Sequence, residues 1–296
     1  MGSGGWCGED GAAEPDRGAA LTAPDNTQQI VKLRHPGTWV ATAVVLLIVT
    51  AAGYSVATNR AFQWPVVAQY MFDAEILKGL QRTLELTLAA MVIGLVLGTV
   101  LALFRLSHNK LLSSISWAYV WFFRSVPVLV QLIFWYNFGA LYSVITLHMP
   151  FGPVLFSIST NTLITPLFAA MAGLGLAQSA YTAEVIRAGI VSVPPGQMRA
   201  ALALGMRRMM IYRRIILPQA MRVIIPPVGN EVISMVKNTS LVSVIAMAEL
   251  LYTAQLIYSR TYETIPLLIV ASLWYLIIVS VLSVGQYFLE RKFRQR

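Results

Sequence analysis

Apolar residues run in long blocks along the 296-residue chain rather than alternating at the short periods of a soluble fold. A helix needs about 20 largely apolar residues to cross a bilayer. The stretch TWVATAVVLLIVTAAGYSVAT, residues 38–58, meets that length just after Lys32 and Arg34. Its apolar run is too long for a cleaved signal core, which marks it as an anchor. A second span covers 83–104, interrupted only by Glu85. From Ser125 to Ala183 no Asp, Glu, Lys or Arg occurs. That run leaves room for spans at 117–141 and 163–186, joined by a connection carrying Pro and Gly. Thr264 to Leu289 predicts a final span, and 223–247 a weaker one, broken by Pro226, Pro227, Glu231 and Lys237. The pattern predicts an all-α membrane protein of about six transmembrane helices.

Composition sharpens this picture. The chain is 57% hydrophobic and only 12% charged, against about 25% charged in a soluble domain. Its formal charge of +9 is explained by basic loops held against anionic membrane lipid. No basic soluble domain remains to carry nucleic-acid binding, so that class is set aside. The single cysteine, Cys7, rules out an intramolecular disulfide and any cysteine metal site. His35, His108 and His148 lie far apart, and no metal site is expected. Residues 1–35 carry no periodic apolar face and read as a disordered cytoplasmic tail. No Ser/His/Asp or paired-carboxylate arrangement suggests catalysis.

The distribution of Lys and Arg sets an expected orientation. With both termini cytoplasmic, sixteen of the 22 fall on the inner side, and Arg60, Lys78, Arg82 and Arg260 fall on the outer side. The largest inner cluster is the segment 192–220, which includes MRAALALGMRRMMIYRRIILPQA. Burying its basic residues in lipid would cost about 2.5 kcal/mol each, so it is a cytoplasmic loop. Pro194, Pro195 and Gly196 form a turn that lets a helix start. Ala200 to Leu204 favour that helix, Gly205 interrupts it, and a second helical stretch is expected to end at Pro218. Small side chains at 200, 201, 203 and 205 allow another surface close to the backbone, either a protein's or anionic lipid's.

This loop resembles the cytoplasmic motif of permease subunits of bacterial ATP-binding-cassette importers. That motif reads Glu-Ala-Ala, three residues, Gly, nine residues, Ile, one residue, Leu-Pro. Here it reads Arg199-Ala200-Ala201, Gly205, Ile215, Leu217-Pro218, with every spacing kept and Arg199 standing where the family usually has glutamate. The segments TLELTLAAMVIGLVLGTVLALFRLS (83–107), FFRSVPVLVQLIFWY (122–136), AYTAEVIRAGI (180–190) and PPVGNEVISMVKNTSLVSVIAMAEL (226–250) are similar to the polar amino acid branch. The likeness covers about 76–290 and implies a type I importer-like core of five helices, with one extra N-terminal helix at 36–60 and a basic cytoplasmic tail at 291–296. It implies that Gly196, Arg199, Ala200, Ala201, Gly205, Ile215, Leu217 and Pro218 dock an ATPase. No lysine lies in a phosphate-binding loop, because the five are followed by Leu, Gly, Leu, Asn and Phe. ATP and Mg are therefore expected on a separate polypeptide, and no cofactor on this chain. The resemblance implies two ATP-binding subunits, a second permease subunit (identical or related), an extracytoplasmic substrate-binding protein and a place in the bacterial plasma (inner) membrane.

Ionisable residues within spans are candidates for a substrate pathway, because each costs energy unless paired or facing water. Glu184 shares a helix face with Tyr181 and Arg187 and reads equally as an ion pair or a pathway carboxylate. Glu85 reaches either the interface or the pathway. Asn230, Ser234 and Lys237 recur at four and three residues as one polar stripe, with Glu231 and Asn238 beside it. Thr239 and Ser240 add hydroxyls suited to a carboxylate. The leading expectation is the membrane subunit of an ATP-driven importer of polar amino acids working by alternating access. An ATP-independent secondary transporter or channel, or a non-transporting scaffold, remains open at this point.

Overall fold

The computed structural model of the chain describes residues 36–148 and 154–293. The whole predicted N-terminal tail, residues 1–35, and the last three residues lie outside that range. The chain divides into two units, Met1–Val56 and Ala57–Arg296. All but the last two residues of α1 (Pro36–Thr58), a single unbroken helix, belong to the first, and its 39–58 stretch has a mean hydropathy of 2.1.

The second unit opens with α2 (Trp64–Tyr70), followed by α3 (Ala74–Arg105), α4 (Lys110–Ser125), α5 (Val128–Tyr136) and α6 (Phe138–Leu141). A hairpin of β1 (Val144–His148) and β2 (Val154–Ser159) leads to α7 (Thr160–Leu163) and α8 (Pro166–Val191). Then come α9 (Pro195–Ala203), α10 (Arg208–Ile211), α11 (Leu217–Asn238), α12 (Leu250–Thr261) and α13 (Thr264–Phe293). Among the described residues three helices, α1, α3 and α13, are long and apolar enough to cross a membrane unaided. Two bent pairs bring the number to five: α4 with α5, turning 99°, and the stretch 208–245 with α12, turning 45°.

These elements refine the expected spans. The span placed at 117–141 is two helices meeting at Pro127, which caps α5 and cannot continue α4. The connection after it is a strand hairpin rather than plain loop, because VITLH and VLFSIS are rich in β-branched and aromatic residues. The loop ahead of α3 holds the short helix α2. α8 is 26 residues long yet is not among the strongly apolar helices. Its small and polar side chains suit it to the centre of the bundle, where protein rather than lipid surrounds it.

α3 packs along α8 through small residues, which let two membrane helices approach closely. A side chain at Gly94 would meet Gln178 Cγ at 2.5 Å, one at Gly98 the Thr182 Cβ at 2.7 Å, and one at Gly175 the Ile93 side chain at 2.7 Å. A second junction ties α3, α12 and α13. Fully buried Glu249 caps α12, accepting from the N–H groups of Tyr252 (2.8 Å) and Leu251 (3.0 Å). Tyr275 Oη of α13 donates to the same carboxylate at 2.8 Å, while Thr83 of α3 accepts from the Leu250 N–H at 3.1 Å.

The segment 192–220 is largely helical. Gly205 ends the first helical stretch in a left-handed conformation (φ +73°), open to any partner. The expected break at Pro218 does not occur. α10 runs through a π turn, Tyr212–Ile216, directly into α11, and the Leu217 N–H donates to Tyr212 O, five residues back. That wider turn shifts the hydrogen-bond register just ahead of Pro218, so the proline sits in the first turn of α11, where its missing N–H is tolerated.

Candidate functional site

Two cavities lie beside α8. The inner one, about 270 Å³, is formed by Val128, Leu174, Ala177, Gln178, Tyr181, Glu231, Ser234, Met235 and Asn238. Residues 231, 234, 235 and 238 of α11 fall on one helix face by their three- and four-residue spacing. Opposite them, Gln178 is held in place by the bare backbone of Gly94 and donates to Glu231 Oε2 at 3.3 Å and to Thr182 Oγ1 at 3.2 Å. Glu231 makes no ion pair among the described residues. The cavity therefore holds one carboxylate, an amide pair and two hydroxyls against an apolar wall of Val128, Leu174 and Met235. Such a mixture can hold a small zwitterion and leaves a negative charge for a cationic group.

The predicted stripe splits across two faces. Ser234 lines the cavity, but Asn230 points to α13, where its Nδ2 lies 3.5 Å from Glu290 Oε1. Lys237 is exposed and unpaired among the described residues. Thr239 is buried with its hydroxyl on Val236 O (2.6 Å), and Ser240 donates to Lys237 O (2.7 Å), so both hydroxyls satisfy their own helix. Glu85 sits on the exposed face of α3, accepting from Gln81 (2.8 Å) and Arg82 (3.0 Å). Glu184 takes a bidentate bond from Arg187, at 2.5 Å to Nη2 and 3.1 Å to Nε. It also lines the second cavity, about 400 Å³, with Arg105, Trp117, Trp121, Arg124 and Tyr181. Gln178 and Glu249 are two buried polar residues that the sequence pattern does not single out, the first bonded to Glu231 and Thr182 and the second holding α12 to α13. Each is a lone polar residue in an apolar neighbourhood, which was the available signal.

The residues expected to dock an ATPase lie in and around one small apolar cluster. In α9, Ala201 is buried against Ile211 and Ile216, while Gly196, Arg199 and Ala200 face outward. Leu217 and Pro218 are exposed, and Ile215 packs at the edge of the same cluster. Arg199, Arg207, Arg208, Arg213 and Arg214 are all exposed, with no acidic partner among the described residues.

Together these features define a polytopic helical membrane protein with a polar cavity in its bundle and a basic helical platform beside it. The chain belongs to the family of binding-protein-dependent transport system inner membrane components, whose profile matches residues 90–295. It is similar to the arginine transport system permease protein ArgU of Corynebacterium glutamicum, 44% identical over 279 residues, covering 93% of this chain and 86% of that one. A match of that extent must run through α1. The nopaline permease NocM of Agrobacterium fabrum is 39% identical over 71% of this chain and 83% of its own. The L-cystine permease TcyB of Bacillus subtilis is 36% identical over 79% and 92%. Among solved structures, an amino acid ABC transporter with histidines aligns at TM-score 0.64 and 34% identity, over 76% of this chain and 97% of that one. The MetNI methionine transporter, at 18% identity and TM-score 0.56, shares the fold. The chain is an ABC importer permease subunit of the amino acid branch and a multi-pass inner membrane protein.

Proposed function

We propose that this chain carries polar amino acids inward, with cationic ones such as arginine preferred, in an assembly driven by ATP hydrolysis on partner subunits. The observation that carries the reading is Glu231. Its carboxylate lines the inner cavity with an amide at 3.3 Å and no ion pair among the described residues, so a substrate's guanidinium or ammonium supplies the missing charge. The 44% identity to a protein named for arginine transport supports the same substrate class.

In this reading an extracytoplasmic binding protein delivers the amino acid to a pair of permease subunits. The pair alternates between outward and inward openings as two ATP-binding subunits, holding ATP and Mg, close and reopen. Both termini lie in the cytoplasm. The α9 surface, with Gly196, Arg199 and Ala200 exposed over buried Ala201 and followed by the turn at Gly205, seats the ATPase. Arg199 calls for an acidic or neutral groove there.

The test is reconstitution of the purified chain into liposomes with its ATP-binding partner and binding protein, following labelled arginine. ATP-dependent uptake that vanishes without the ATPase supports the proposal. Uptake by the chain alone would instead mark a secondary transporter or channel. An assembly whose ATPase ignores every amino acid would mark a scaffold.

A further inference from the structure

The second cavity shares Tyr181 with the inner one, but its chemistry is of another kind. Arg105 is the last residue of α3, a helix about 48 Å long at 1.5 Å per residue, so the cavity lies near the end of a span. Arg105 Nη1 is shut away from solvent and has no hydrogen-bond partner. Arg124, at the end of α4, lies over the Tyr181 ring with its guanidinium carbon 5.3 Å from the centroid. Neither arginine makes an ion pair among the described residues. The one carboxylate in the lining, Glu184, is taken up by Arg187. The cavity thus carries two guanidinium groups outside any ion pair, with only the Glu184 carboxylate, already bonded to Arg187, near enough to act on both, and with the Ser125 hydroxyl and the Trp117 and Trp121 rings around them.

A second observation separates a lipid from a free anion. An apolar groove of about 250 Å³ runs along the α4–α5 elbow, lined by Phe122, Phe123, Val126, Val130, Phe134 and Trp135 with the stem of Gln131. The last turn of α4 divides the two spaces: Trp121 and Ser125 line the cationic one, Phe122 and Val126 the apolar one. Trp117 and Trp121 are stacked, with centroids 6.1 Å apart, and remain more than half exposed. Stacked indoles at the end of a span are a membrane-interface feature. A cationic pocket adjoining an apolar groove matches a phosphate head with an acyl chain.

We infer that the cavity of Arg105 and Arg124 binds the phosphodiester head of an anionic phospholipid, with an acyl chain laid in the Phe122–Phe134 groove. The bound lipid wedges the 99° elbow between α4 and α5 and so steadies the wall that Val128 contributes to the inner cavity. The inference does not depend on which solute is carried.

The experiment uses the chain assembled with its ATP-binding partner in nanodiscs of phosphatidylcholine, with or without phosphatidylglycerol. Retained lipid is counted by native mass spectrometry after release into detergent. The expected result is phosphatidylglycerol held on the wild-type assembly and reduced at least fivefold by Arg105→Gln/Arg124→Gln. The pair Arg222→Gln/Arg291→Gln removes the same charge from a separate surface cavity and should leave retention unchanged. Equal loss in both pairs would overturn the inference in favour of diffuse attraction. Displacement of the lipid by millimolar inorganic phosphate would overturn it in favour of a simple anion site. A disulfide between two Trp121→Cys permease copies would overturn it in favour of a subunit interface. If the Gln pair fails to assemble, competition between phosphatidylglycerol and phosphatidylcholine on the wild-type assembly decides, and equal affinity for the two sinks the inference.

Discussion

Gln178 reaches from α8 to Glu231 on α11 across 3.3 Å, and it stands there because Gly94 of α3 has no side chain to push it away. Three helices therefore set the position of one carboxylate. Glu231→Gln keeps the size and removes the charge. Arginine-stimulated ATPase activity in the reconstituted assembly should fall about tenfold, the worth of roughly 1.4 kcal/mol, with neutral amino acids affected less. Gly94→Ala should impair both classes alike, because it displaces Gln178. An arginine response left intact by Glu231→Gln would remove the basis for a cationic substrate.

Glu249 predicts a stability effect without a selectivity effect. Its replacement by alanine strands the Tyr275 hydroxyl and two backbone N–H groups of α12. Each buried unsatisfied group costs about 1–3 kcal/mol, so a loss of about 3 kcal/mol overall is expected. Thermal unfolding of the purified protein in detergent reads it. Glu249→Gln should recover part of the loss, since an amide oxygen still caps the helix.

Two glycines of the platform separate backbone strain from surface shape. A Cβ at either Gly196 or Gly205 meets nothing within 4 Å, but only Gly205 has a positive φ. Gly205→Ala should cost about 1–2 kcal/mol and lower the coupling of ATP hydrolysis to uptake. Gly196→Ala carries no such strain, so any loss of coupling there reports contact with the ATPase.

Arg199 is exposed and unpaired among the described residues. Arg199→Glu is expected to weaken ATPase recruitment severalfold in a pull-down at low salt, and less so at high salt, where charge contacts are screened. A strong improvement in coupling would reject an acidic or neutral groove on the partner.

Much of this arrangement was legible in the block pattern. The apolar runs locate α1, α3 and α13, and the Ala-Ala, Gly, Leu-Pro spacing falls on the basic helical segment α9 to α11. Pattern alone could not supply rotation. Asn230 and Glu231 are neighbours in sequence, yet the first meets α13 and the second the inner cavity. Only the packed partners decide which side of a helix with polar residues at adjacent positions turns inward. Nor does Pro127 announce a 99° elbow, since a proline permits a range of bends and neighbouring helices select one. The hairpin at 144–159 hid for a related reason: short apolar runs read equally as strand or buried helix.

The π turn at Tyr212–Ile216 leaves the chain helical from Arg208 to Asn238. At one end of that rod, Ile211 and Ile216 grip Ala201; toward the other, Glu231, Ser234 and Asn238 face the inner cavity. Twenty residues separate Ile211 from Glu231, about 30 Å of helix. A load placed on Ala201 would therefore meet one continuous helix leading to the charge in the bundle, with two places where its hydrogen-bond ladder gives: the wide turn, and the Pro226–Pro227 pair inside α11.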